Sequence, residues 1–106
     1  MQINQEIRDI TNAIIAAVPV LQIYLFGSYA KGTATENSDY DFFVVIPDDG
    51  MRQIEAMQAI SNDISLYEKK RPIDLLVGRK SRFDERKNWL ATIEREVINT
   101  GVKLYG

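Results

Sequence analysis

The 106-residue chain contains neither cysteine nor histidine. The first absence excludes disulfides, thiolate catalysis and cysteine-held zinc. The second excludes a Ser-His-Asp triad, a Cys-His pair and metals held by imidazole. Acid–base chemistry must therefore fall to carboxylates, Lys, Tyr or metal-bound water. A bound metal must take mainly oxygen ligands, which favours magnesium, manganese or calcium.

Long apolar runs and a strong excess of charge are also missing. No apolar run approaches membrane-spanning length, and the polar N-terminal residues 1–6 lack the plan of a signal peptide. We therefore expect a cytoplasmic protein that does not contact a membrane. The net charge of -2 argues against an extensive nucleic-acid surface. The length predicts a single domain spanning residues 1–106.

Six segments of the sequence carry helix or strand patterns. Apolar residues at helical spacing predict helices over residues 5–18, 51–68 and 83–99. Apolar, β-branched and aromatic runs predict strands over residues 21–26, 40–46 and 73–77. The order helix, strand, strand, helix, strand, helix predicts a small mixed sheet covered by helices, in the α/β or α+β class.

Two carboxylates, Asp39 and Asp41, stand at the beginning of the second predicted strand. Side chains two residues apart on a strand share a face, with α-carbons about 6.5 to 7 Å apart. A divalent ion bound between the two carboxylates would remove their repulsion. Two such ions, about 3.5 to 4 Å apart and bridged by carboxylates, form the site that holds the attacking and leaving oxygens in phosphoryl transfer. The alternative is a strand that simply begins from a polar turn, since such pairs are common on wet strand faces.

A third carboxylate, Asp74, lies inside the apolar strand predicted over residues 73–77. A buried aspartate needs a partner, a metal or a neutral form. On a strand adjacent to that of Asp41, it would complete a three-carboxylate site. The alternative is an edge strand whose aspartate faces water.

Gly27, Ser28 and Lys31 follow the first predicted strand. Glycine permits a tight turn, and a following helical turn would point N–H groups at a phosphate. Lys31 would add positive charge near the same phosphate. Taken singly, Gly-Ser is usually only a turn and a lone lysine is usually solvated.

Basic and aromatic residues elsewhere favour structural interpretations. The basic runs at residues 69–71 and 79–82 are interpreted as helix-end charge and a solvated face rather than as a phosphate-binding rim. Trp89 and Tyr105 are interpreted as core packing and a docked C-terminus rather than as partner anchors.

Residues 27–32, 38–41 and 73–74 together resemble the signature of the DNA polymerase β-like nucleotidyltransferase superfamily. The closest resemblance is to its minimal nucleotidyltransferase (MNT) domains, in which Gly-Ser after a strand precedes Asp-x-Asp at the next strand and a later aspartate in a third. The resemblance covers nearly the whole chain. The chain has Lys31 where the family commonly has arginine, so the charge is kept but the bidentate fork is lost.

The resemblance implies a role for each motif residue. Asp39 and Asp41 would ligate two magnesium ions, and Asp74 would ligate one of them and help deprotonate the acceptor hydroxyl. Gly27 and Ser28, with Lys31, would hold the triphosphate of ATP. The expected reaction is transfer of AMP to a hydroxyl group with release of pyrophosphate.

Family resemblance also suggests the acceptor. Minimal domains of this kind are often paired with a HEPN-type toxin, and the pair resembles a toxin–antitoxin module in which AMP is added to a tyrosine of the toxin. Two alternatives remain: an antitoxin that neutralises its partner by binding alone, and a subunit that nucleotidylates a small molecule such as an aminoglycoside.

Overall fold

A computed structural model describes residues 3–65 and 71–106. In chain order its elements are α1 (Gln5–Ala17), β1 (Gln22–Phe26), α2 (Gly27–Lys31), β2 (Tyr40–Ile46), α3 (Gln53–Ile64), β3 (Ile73–Arg79), α4 (Lys80–Arg86), α5 (Ile93–Thr100) and β4 (Val102–Tyr105). The four strands form one sheet in the order β3-β2-β1-β4. Strand β1 runs antiparallel to β2 and β4, whereas β2 and β3 are parallel. The predicted mixed sheet covered by helices is therefore confirmed.

The central strand β2 is buried on both faces. Phe42 and Val44 belong to the core between the sheet and helices α1 and α3. Phe43 and Val45 belong to a second core, where Phe83 of α4 packs on the opposite face. Helices on both sides explain why β2 is a continuous apolar run without the polar alternation of a half-exposed strand.

The single helix predicted over residues 83–99 is wrong, because the chain forms α4 and α5 with a turn between them. Thr92 caps α5 by accepting a hydrogen bond from the Arg95 amide at 3.1 Å, and its hydroxyl donates to the Arg86 carbonyl at 2.7 Å. Ala91 has a left-handed φ of 62°, which no helix interior allows. The apolar residues at helical spacing continue across this break, so the pattern conceals it.

Two other sequence expectations need correction. Strand β4 was not predicted, because four residues with alternating burial give little signal. Tyr105 lies in β4 and pairs with Ile23 of β1, so the C-terminus is docked on the sheet as expected. The side chain of Trp89 is 48% exposed, so it is not a core residue. Helix α3 is described as far as Ile64, and the predicted extension over residues 66–68 lies outside the described residues, as do residues 69 and 70.

Among the described residues, no helix combines the length and apolarity needed to cross a bilayer.

Tyr40 ties the beginning of β2 to the beginning of α1. Its buried hydroxyl donates a 2.7 Å hydrogen bond to Glu6 Oε1 and accepts one of 3.2 Å from Asn4 Nδ2. Burial and then the hydrogen bond to Glu6 raise the pKa of Tyr40 to about 12. We expect Tyr40→Phe to lower the free energy of unfolding by about 1.5 to 3 kcal/mol, the range for a hydrogen bond to a charged group.

Urea denaturation at neutral pH measures this loss. The matched control is Tyr105→Phe, which removes the hydroxyl of an exposed tyrosine in β4. Equal stability changes in the two variants would show that the Tyr40 hydroxyl does not anchor α1 to the sheet.

Candidate functional site

The parallel pairing of β2 and β3 brings the three predicted carboxylates to one end of the sheet. Asp41 and Asp74 are register partners on the two strands. Side chains paired in this way share a face of the sheet. Asp39 lies one residue before β2 begins. The register therefore pairs Asp41 with Asp74, and Asp39 is near enough for its charge to act on Asp41.

The three carboxylates differ in their exposure. Asp41 is partly buried, whereas Asp39 and Asp74 are exposed. Because β3 is an edge strand of the sheet, Asp74 faces water, as in the alternative interpretation of its apolar surroundings. Although its side chain is exposed, Asp74 lies next to Asp41, because β2 and β3 are hydrogen-bonded neighbours.

Asp41 is under electrostatic strain. Burial raises its pKa, and the negative charges of Asp74, Asp39 and Glu96 raise it further. Each of these causes opposes ionisation, and each would be relieved by a cation at the carboxylate.

Gly27 lies directly against the Asp41 carboxylate. Its φ of +73° is a left-handed conformation that side chains with a β-carbon rarely adopt. A β-carbon at this position would overlap Asp41 Oδ2 and lie 3.0 Å from Asp41 Cγ. Only glycine therefore allows the chain to turn from β1 into α2 so close to the carboxylate.

The predicted nucleotide-binding residues occupy the short helix α2. Because β1 pairs with β2 so that Phe26 faces Asp41, the helix begins beside the carboxylates, with Gly27 and Ser28 as its first residues. Lys31 is at its other end, where its ammonium donates a 2.8 Å hydrogen bond to Glu96 Oε1. The structure thus brings the predicted residues to one region, with Lys31 paired to a carboxylate.

Two residues near the site were not singled out as site residues by sequence reasoning. Glu96 lies on α5 and reaches Lys31 because α5 packs against the sheet through Val97. Arg71 was interpreted as helix-end charge, but its guanidinium instead contacts the loop that leads to Asp39. No local pattern identifies either residue, because each contact joins segments far apart in the sequence.

The residues present suit magnesium in donor type and charge. All three candidate ligands are carboxylates, the oxygen donors that this ion prefers. Their mutual repulsion at Asp41 is the condition that a divalent cation relieves. As placed, no three acidic side chains in the described part of the chain are grouped closely enough to hold an ion.

Several solved structures share this fold. A putative nucleotidyltransferase from Sulfolobus solfataricus has a TM-score of 0.61 at 19% identity, with 91% of this chain and 73% of that chain covered. A toxin–antitoxin crystallised with AMP-PNP has a TM-score of 0.61 at 25% identity, covering 93% and 72% of the two chains. A mutant of the toxin–antitoxin MntA-HpeT has a TM-score of 0.64 at 24% identity, covering 99% and 74%.

Sequence comparison identifies the family. No curated protein is significantly similar to this chain. The family model of the nucleotidyltransferase domain matches residues 5–98, which include the strand, glycine and aspartate segments that carry the predicted site. The predicted resemblance to minimal nucleotidyltransferases is therefore confirmed, and the chain belongs to the nucleotidyltransferase domain family.

Proposed function

We propose that residues 1–106 act as a single nucleotidyltransferase domain that transfers AMP from ATP to a tyrosine hydroxyl of a HEPN-type toxin partner. The observation that carries the proposal is the parallel register of Asp41 with Asp74, formed where Gly27 lies against Asp41. Membership of the nucleotidyltransferase family supports the reaction class. Similarity to toxin–antitoxin structures supports a toxin as the partner. ATP and magnesium are abundant in the cytoplasm, where we place the reaction.

In this proposal, the three aspartates hold two magnesium ions. When bound, these ions supply positive charge that neutralises the triphosphate and the charge that develops during transfer. Gly27 lies against Asp41, and Gly27 and Ser28 would contact the triphosphate through backbone N–H groups and the serine hydroxyl. Lys31 contributes a positive charge at the far end of α2.

The transfer step forms one bond and breaks another. The acceptor oxygen bonds to the α-phosphorus of ATP, and the bond from that phosphorus to the oxygen bridging to the β-phosphate breaks. Pyrophosphate leaves with the bonding electron pair, and the hydroxyl proton passes to the Asp74 carboxylate. Catalysis then consists mainly of positioning and charge stabilisation, neither of which needs a histidine.

The open position of the site suits a large acceptor. Asp39 and Asp74 are exposed, and β3 is an edge strand, so a side chain on another protein can approach the carboxylates from solvent. A tyrosine hydroxyl on a partner surface meets this requirement.

An antitoxin that acts by binding alone is the second candidate. The observation in its favour is that no three acidic groups among the described residues are already arranged around an ion position. The two candidates differ in whether neutralisation of the partner requires the carboxylates.

Incubation with labelled ATP and magnesium, with and without the product of the neighbouring gene as the candidate partner, tests the proposal. Mass spectrometry should find one AMP on the partner, and Asp39→Asn should abolish the adduct. Asp49→Asn, an equivalent change at an exposed turn aspartate, should leave it intact. If Asp39→Asn neutralised the partner as completely as the wild type does, and neither protein gave an adduct, the binding-only antitoxin would be established.

The Lys31–Glu96 pair predicts an effect on ATP binding. Both side chains are partly exposed, at 42% and 36%, so the pair is worth about 0.2 to 1 kcal/mol. Glu96→Gln frees Lys31 and removes one negative charge that acts on Asp41. We therefore expect the KM for ATP to fall by up to about fivefold, which follows from the upper end of that energy range.

Steady-state kinetics at low ionic strength measure the change in KM. Glu85→Gln provides the control, since it removes an exposed charge from α4. A higher KM in Glu96→Gln would mean that Glu96 holds Lys31 in its binding position rather than competing with the triphosphate.

A further inference from the structure

The loop that leads to Asp39 is held by an arginine from the segment that precedes β3. Nη1 of Arg71 donates hydrogen bonds to the carbonyl oxygens of Thr35, Glu36 and Ser38, at 2.7, 2.9 and 3.2 Å. Arg71 lies two residues before β3, which carries Asp74. One cationic group thus links the two chain segments from which Asp39 and Asp74 extend.

The same guanidinium also contacts α2. It lies 5.2 Å from the centroid of the Tyr29 ring, a cation–π distance. Tyr29 follows Ser28 directly and packs on Tyr40, with ring centroids 4.7 Å apart. Arg71 therefore connects three parts of the site. It precedes β3, which carries Asp74, and its guanidinium contacts both the loop before Asp39 and Tyr29 of α2.

The loop's own hydrogen bonds are few and local. The Thr35 amide donates to Ser38 Oγ at 2.8 Å, the Ser38 amide to the Thr35 carbonyl at 3.1 Å, and the Asn37 amide to Thr35 Oγ1 at 3.3 Å. These bonds close the turn on itself but do not fix it relative to the sheet. The hydrogen bonds from Arg71 to three carbonyl groups attach the turn to the segment before β3, in addition to the backbone hydrogen bond from the Tyr40 amide to the Pro72 carbonyl at 3.0 Å, and bonds to a charged donor are the stronger kind.

Asp39 depends on this attachment more than Asp41 does. Asp41 lies within β2, where strand pairing and Gly27 fix its position. Asp39 is exposed and precedes the strand, so its position follows the backbone of the loop. We infer that Arg71 is a positioning residue that places Asp39 for magnesium binding beside Asp41 and Asp74. This inference rests on the proposed function of the site.

Lysine would replace only part of this arrangement. An ammonium group can donate to the same carbonyls, but it lacks the planar surface with which a guanidinium lies over an aromatic ring. Arg71→Lys should therefore restore some of the effect lost in Arg71→Met. The matched control is Arg82→Met, which removes an exposed arginine from α4.

Hydrogen–deuterium exchange of the metal-free protein is the first measurement. In Arg71→Met, the amides of residues 35–38 should exchange about tenfold faster, because hydrogen bonds from a charged donor are lost. Arg71→Lys should be intermediate, and Arg82→Met should match the wild type. Unchanged exchange in Arg71→Met would overturn the inference at its first step.

The second measurement is the affinity of each variant for Mn²⁺ in the presence of a non-hydrolysable ATP analogue. We expect Arg71→Met to weaken Mn²⁺ binding by about tenfold. In kinetics, the Mg²⁺ concentration for half-maximal rate should rise by a similar factor, with a much smaller change in kcat at saturating Mg²⁺. Faster loop exchange with wild-type Mn²⁺ affinity would make Arg71 merely a loop stabiliser and overturn the inference.

Failure of the proposed function gives a different result. The wild type would then transfer no AMP to the partner, whatever its affinity for Mn²⁺. The inference about Arg71 fails when the wild type binds Mn²⁺ and Arg71→Met binds it equally well. If Arg71→Met does not fold, the comparison of Arg71→Lys with the wild type carries the same test.

Discussion

The Asp41→Asn variant is expected to transfer AMP about 10²- to 10³-fold more slowly than the wild type. In the absence of metal, however, the folded variant is expected to be more stable than the folded wild type. Transfer is lost because the amide cannot replace a carboxylate that holds a cation. Stability rises because the amide carries no charge to be desolvated or to be repelled by Asp74, Asp39 and Glu96. Relief of such functional-site strain is typically worth about 0.5 to 2 kcal/mol.

The stability gain should depend on pH in a defined direction. Burial and neighbouring carboxylates raise the pKa of Asp41 in the folded protein above its ordinary value of 3.8. The folded state therefore keeps this proton to higher pH than the unfolded state does. The stability contributed by protonated Asp41 is complete below pH 3.8 and is lost as the pH rises through the raised pKa.

Thermal unfolding in a chelating buffer at several pH values measures this effect. Asp41→Asn should exceed the wild type in Tm at pH 7 by roughly 4 to 8 °C per kcal/mol, and the difference should shrink towards pH 4. Asp49→Asn, in an exposed turn, should show no such pH dependence. A lower Tm for Asp41→Asn at pH 7 would contradict the electrostatic strain assigned to this carboxylate.

Gly27→Ala is expected to damage both folding and activity. The left-handed φ of +73° costs an L-residue about 1 to 2 kcal/mol, and the new β-carbon must also displace the Asp41 carboxylate. A displacement of about 1 Å at such a site lowers the rate by about 10²-fold. Denaturant unfolding and transfer assays on the purified variant measure the two losses.

Gly32→Ala separates backbone strain from the contact with Asp41. Gly32 has a nearly identical φ of +76°, but a β-carbon there would meet nothing within 4 Å. It should lose similar stability from strain and keep most of the transfer activity. Equal loss of activity in the two variants would show that the contact between Gly27 and Asp41 is not decisive.

The sequence by itself determined the local features of this protein. The bounds of β2 agree with the predicted strand over residues 40–46, because a fully buried strand leaves a continuous apolar run. The mixed sheet and the family also followed from the sequence, since motif spacing and element order lie along the chain.

Tertiary structure decided what depends on distant segments. It broke the predicted last helix at Ala91, exposed Asp74 on an edge strand and added β4 beside β1. It also joined Lys31 to Glu96 across 65 residues, and Arg71 to the loop before Asp39 across 33 to 36. Packing of helices and strands creates these contacts, and they leave no periodic pattern along the chain from which they could be predicted.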